Sequence, residues 1–261
     1  MAELVFADDR LRATLHALDA RRLVVTFDNR KLGKADFEPR DPARNFLNAG
    51  FAQLHIETKA NDWFINASTP ALEVALAKLR GRFHQVKAIG FSMGGYGALR
   101  LSGALGIDEV ALISAQISID RAVVPFETRY KREAKRFSAE TGALDSANPN
   151  LGGVICYDPF HRLDSAHAAL IAAAFPKIKR VPMALGQHPA TNILREQRAI
   201  GKVQKQVVQG FDAVALKADH RAACRITALY WERLAEKAAP RHPDWARQAQ
   251  QRAKQIHAEN P

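Results

Sequence analysis

The stretch Val86-Lys-Ala-Ile-Gly-Phe-Ser-Met-Gly-Gly-Tyr-Gly-Ala98 decides how this chain is read. Residues 86–90 are a short run of strand length, and residues 94–105 carry the small and apolar residues of a slim helix. Between them, Gly90-Phe-Ser-Met-Gly94 fits the pattern G-x-S-x-G. A strand that runs directly into this pattern and out into a helix puts Ser92 on a sharp turn at the C-terminal edge of a sheet. The chemistry needs that placement, because a serine hydroxyl is a weak nucleophile and must be held exposed. Gly90 and Gly94 remove side chains where strand and helix nearly touch. The helix N-terminus then aims backbone N–H groups, that of Met93 first, and the positive end of the helix dipole at a developing oxyanion.

Outward from this segment, further short apolar runs read as buried strands: 23–27, 52–56, 110–114, 154–157 and 181–185. Helical patterns separate most of them. Leu72, Leu76 and Leu79 recur at four and three residues after Ser68, Thr69 and Pro70, which suit a helix start. Residues 94–105 and 165–174 read as two more helices. Strands alternating with helices predict an α/β fold, a mainly parallel sheet flanked by helices. The polar, charged segment 119–150 breaks the alternation and reads as a cap insertion. Strand signals stop near residue 190. Helices are expected over 191–207, 211–238 and 243–257, the last two parted by Pro240 and Pro243. The expected organisation is a catalytic domain over 1–190 and a basic helical extension over 191–261.

The run Gly90–Ala98 resembles the nucleophile elbow of α/β-hydrolase-fold serine hydrolases of the esterase and acyl-handling type, a likeness that extends over about residues 20–195. The resemblance implies Ser92 as nucleophile, followed in chain order by an acid and a histidine. His188, in Leu185-Gly-Gln-His-Pro189, lies where the family's histidine loop belongs. Asp158 and Asp164 are both available as the acid. Asp164 is preferred because the family's acid usually sits a few residues beyond the strand, and Asp158 remains the alternative. Leu23–Asp28 resembles the strand whose following loop supplies the second oxyanion donor, which makes the backbone N–H of Asn29 the partner of Met93. The sequence departs from the family twice. The N-terminal region is short for the leading strands, and Phe27-Asp28-Asn29 stands where a His-Gly-Gly-Gly segment is expected.

The chain of 261 residues is 47% hydrophobic and 25% charged, which is globular composition. Its net charge of +11 is concentrated late: residues 176–261 hold 16 Lys/Arg against 7 Asp/Glu. These charges are spread through helical patterns and interleaved with Glu196, Asp212, Glu232 and Glu236, so no dedicated nucleic-acid site is expected. Ile226, Leu229, Tyr230 and Leu234 form an apolar face that packs on the body or joins a homo-oligomer through the C-terminal helices. Cys156 and Cys224 lie far apart with no C-x-x-C spacing, which argues against a disulfide framework. There is no signal-like opening and no run of about 18 uncharged apolar residues, so no membrane span and a cytoplasmic location are expected. The expected activity is cleavage of a small-molecule ester or thioester with no metal or organic cofactor. The rivals are an acyltransferase on the same triad and a non-catalytic binding protein with a silent elbow.

Overall fold

A computed structural model describes residues 2–38 and 40–259. The strands are β1 (Ala2–Ala7), β2 (Leu11–His16), β3 (Arg22–Phe27), β4 (Ala52–Thr58), β5 (Gln85–Phe91), β6 (Glu109–Ile113), β7 (Gly152–Tyr157) and β8 (Ile178–Pro182). The helices are α1 (Arg44–Asn48), α2 (Thr69–Arg80), α3 (Met93–Arg100), α4 (Ser102–Leu105), α5 (Lys131–Ala134), α6 (Arg162–Ala174), α7 (Asn192–Glu196), α8 (Gly201–Gln209), α9 (Ala213–Ile226), α10 (Ala228–Ala238) and α11 (Pro243–Glu259). The strands form one sheet in the order β1-β2-β4-β3-β5-β6-β7-β8. β2 pairs antiparallel with both β1 and β4, and the remaining pairs are parallel.

The central strands are covered on both faces, which is why they read as unbroken apolar runs. Val24 and Val25 are adjacent, point to opposite sides and are both fully buried. Val25 packs in a core with Leu54, Leu72, Tyr96, Leu99 and Ile171, beneath α2, α3 and α6. Val24 packs with Phe46, Ile113, Val154, Ile193, Val203, Val207 and Leu216, beneath α1 and α7 to α9.

The leading strands are present after all. β2 buries Leu11, Ala13 and Leu15 and leaves the alternate residues half-buried, so it is a period-two strand rather than an apolar run. β1 is the sheet edge, and Glu3 and Leu4 are too mixed to stand out. The last strand is also earlier than expected: β8 ends at Pro182, and Leu185 sits in the following turn with φ +60°. The expected helix over 211–238 breaks at Thr227 into α9 and α10.

Segment 119–150 has one short helix, α5, and lies against α3. Tyr96 donates its hydroxyl to the carbonyl of Gly142 at 2.7 Å, and Arg100 Nε donates to that of Thr141 at 2.7 Å. α10 packs on α11 through Ala228, Trp231, Ala253 and Ile256. Both cysteines are buried and free. No helix among the described residues is long and apolar enough to cross a membrane.

Candidate active site

β5 ends at Phe91 and α3 starts at Met93, leaving Ser92 alone on the turn with φ 49° and ψ −117°. The turn demands glycine at position 94: a Cβ there would stand 2.7 Å from the Asp28 carbonyl oxygen and 2.9 Å from Phe27 Cβ. Ser92 donates its N–H to Ile113 O at 2.9 Å, which ties the turn to the end of β6. Its Oγ lies 3.0 Å from His188 Nε2, and His188 Nδ1 lies 2.8 Å from Asp164 Oδ2. Asp164 belongs to the first turn of α6, whose N-cap is His161. The His188 loop is anchored from three sides. Asp158 accepts the N–H groups of Leu185 and Gln187 at 3.1 and 2.7 Å. Ser114 Oγ accepts that of Ala190, and Arg233 on α10 donates to the carbonyls of Leu185 and Gly186 at 2.9 and 3.1 Å. A cavity of about 280 Å³ opens at Ser92 and His188, with Asn29, Arg30, Tyr130 and Arg195 in its wall.

Among solved structures, the capsule O-acetyltransferase of Neisseria meningitidis serogroup A is similar at 13% identity over 78% of this chain and 93% of its own, with a TM-score of 0.52. The Glycosylation Associate Protein (Gap123) complex from Streptococcus agalactiae is similar at 12% identity over 80% of this chain and 47% of its own, with a TM-score of 0.55. No protein-family model and no curated protein matches the sequence. Identities this low bear on the fold alone. The chain has the α/β-hydrolase fold.

Within this α/β-hydrolase fold, Asp164 and not Asp158 is the carboxylate at His188. Asp158 spends both oxygens on backbone N–H groups, including that of Phe160 at 2.9 Å. Met93 opens α3, so its N–H has no acceptor inside the helix. Asn29 follows β3 and lines the Ser92 cavity; its side-chain oxygen is buried with no hydrogen-bond partner among the described residues.

Sequence reasoning missed the groups that surround Asp164. Arg129, from segment 119–150, donates Nη1 to Asp164 Oδ1 at 2.7 Å and comes within 3.4 Å of His188 Nδ1. The rest of its guanidinium forks onto Glu127, and Glu127 also accepts His167 Nε2–H at 2.9 Å. His161 Nδ1 lies 3.3 Å from Asp164 Oδ1. Burial alone raises the Asp164 pKa, but hydrogen bonds from His161 and His188 and the charges of His188 and Arg129 outweigh it and hold the carboxyl well below its usual range. Glu127 behaves likewise: burial opposes, the His167 and Arg129 hydrogen bonds prevail, and its pKa falls to about 2. Gln116 stands 3.4 Å from Ser92 Oγ and accepts Trp63 Nε1–H at 3.3 Å. Tyr130 packs on Trp63 at 4.7 Å between ring centroids, and burial raises its hydroxyl pKa. Glu127, Arg129 and Tyr130 lie in a polar, charged insertion that carries no periodic signal for these contacts. No group of three His, Cys, Asp or Glu side chains among the described residues converges as a metal site.

Proposed function

We propose that the chain is a serine hydrolase that cleaves an ester or thioester through an acyl-enzyme on Ser92. The observation that carries this reading is the line of hydrogen-bond distances from Asp164 Oδ2 through His188 to Ser92 Oγ, 2.8 and 3.0 Å. Ser92 Oγ attacks the carbonyl carbon as its proton passes to His188 Nε2. The carbonyl electron pair moves onto oxygen, where the backbone N–H groups of Met93 and Asn29 receive it. Collapse expels the alcohol or thiol, which takes the proton from Nε2. Water then repeats the sequence on the acyl-enzyme, releases the acid and restores Ser92. Asp164 stays ionised, holds the Nδ1–H tautomer and stabilises the imidazolium. Residues 1–190 carry the catalytic groups, 119–150 caps the nucleophile, and 191–261 is a basic extension.

A second reading replaces water by an alcohol. One similar structure is an O-acetyltransferase, and a cleft of about 440 Å³ lined by His161, His188, Arg233 and Lys237 adjoins the histidine on another side. Product analysis of a panel of acyl donors, with and without acceptor alcohols, separates the two. The shared nucleophile is tested with a fluorophosphonate. It labels the unmodified chain, and Ser92→Ala abolishes labelling while the circular dichroism spectrum is unchanged. A folded Ser92→Ala variant that still labels removes Ser92 from the reaction, and an unmodified chain that never labels favours a silent elbow.

A further inference from the structure

The Ser92 cavity has a neighbour across a shared wall. A second chamber of about 210 Å³ shares Asn29, Phe91 and Arg195 with it and is walled by Thr26, Arg40, Gln53 and His55. Three arginines border these two adjoining chambers: Arg30 beside Ser92, Arg40 in the far chamber and Arg195 in the wall they share. The charges facing them are few. Asp41 lines the far chamber, and Glu133 takes Arg30 Nε at 2.8 Å. Asp28 lies beneath, already shared by Lys34 at 3.1 Å, His55 at 3.6 Å and Arg40 at 3.9 Å. Arg195 has no carboxylate within ion-pair distance among the described residues, although it borders both chambers. In the same wall the buried Asn29 Oδ1 accepts no hydrogen bond. Arg195 is exposed and its guanidinium is free to take an anion, while the buried Asn29 Oδ1 is an unused acceptor beside it; together they suit a ligand that brings both an anion and a hydroxyl.

We propose that the part of the substrate remote from the scissile carbonyl is a hydroxylated anion, with its carboxylate or phosphate on Arg195, flanked by Arg30 and Arg40, and a hydroxyl donated to Asn29 Oδ1. This deepens the hydrolase reading and rests on it for the neighbouring chemistry. It makes Arg195 a specificity-determining residue and Ser92 the group that reacts.

The test is a binding titration on the full chain, followed by ligand-observed NMR, with two matched pairs: gluconate against sorbitol, and glucose 6-phosphate against glucose. The expected result is about tenfold tighter binding of at least one anion than of its neutral partner, the successful pair naming carboxylate or phosphate. Arg195→Gln, at an exposed position that leaves the melting temperature unchanged, should bring the ratio to within threefold of one, and Arg195→Lys should keep part of it. Lys254→Gln on α11 should leave the ratio intact. Equal binding of both pairs, an unchanged ratio in Arg195→Gln, or an equal loss in Lys254→Gln overturns the site. Fluorophosphonate labelling is read on the same samples. Anion discrimination without labelling keeps this inference and removes the acyl-enzyme, and labelling without discrimination does the reverse.

Discussion

Asp158 and Asp164 are six residues apart and serve different atoms. Asp158 closes β7 and turns its carboxylate back onto backbone N–H groups of the histidine loop. Asp164 lies in the first turn of the chain's next element and reaches the imidazole itself. Asp164→Asn is expected to lower kcat by about 10³–10⁴-fold, since the amide favours the wrong tautomer of His188. Asp158→Asn weakens the loop's anchor instead. It should cost about 1–3 kcal/mol of stability and lower kcat far less. Steady-state kinetics with thermal melts on both variants rank the two; the opposite order of kcat would give the acid's role to Asp158.

The elements hold these residues through close approaches that tolerate little change. Gly94→Ala should abolish activity or folding, because its Cβ would press on the Asp28 carbonyl oxygen where α3 crosses the end of β3. Purification yield and phosphonate labelling read that outcome. Segment 119–150 reaches Asp164 through Glu127 and Arg129, and both carboxylates titrate below their usual range. A depressed folded pKa stabilises the native state fully above the unfolded value and loses that stabilisation as pH falls through the folded one. For Glu127 the window runs from its ordinary 4.5 down to about 2. Discounted for solvent screening and for the charge shared with Arg129 and His167, the shift is worth about 1–3 kcal/mol. Melts from pH 7 to pH 2.5 should show Glu127→Gln less stable than the unmodified chain at pH 7. The gap should close as pH falls below about 4.5. The variant keeps a residual acid slope from Asp164. A gap that stays constant with pH would mean that Glu127 contributes shape and not charge.

At the scale of the whole molecule, the C-terminal helices complete a core that the sheet leaves open. Ile193, Leu194, Val203, Val207 and Leu216 are fully buried against Val24, Ile113 and Val154. A chain ended after residue 190 strips that face of the sheet and is expected to be insoluble or unfolded; a soluble, cooperative melt from that fragment would contradict this. The charge of +11 acts at this scale too. Electrostatic attraction to DNA or RNA should be indifferent to sequence and fade steeply between 50 and 200 mM salt, roughly as phosphate-only contacts do. A fluorescence titration showing sub-micromolar, sequence-dependent binding at physiological salt would overturn that expectation.

Local spacing by itself determined the elbow at Ser92, the alternation of strands and helices, and the place of His188 after the last strand. Those features follow from periodicity and from glycine at a turn, which a linear reading sees. β2 was legible in principle from Leu11, Ala13 and Leu15, but its alternation is weaker than the apolar runs of the central strands. Tertiary structure alone decided the rest. Ser92 and His188 meet across 96 residues, and Arg129 meets Asp164 across 35. Which aspartate faces the imidazole depends on the turn from β7 into α6, and the placing of Asn29 and Arg195 along the same two chambers depends on how α7 packs against Val24 and Ile89. Such contacts are set by the geometry of packed elements, and no spacing along the chain encodes the direction in which a side chain on a loop will point.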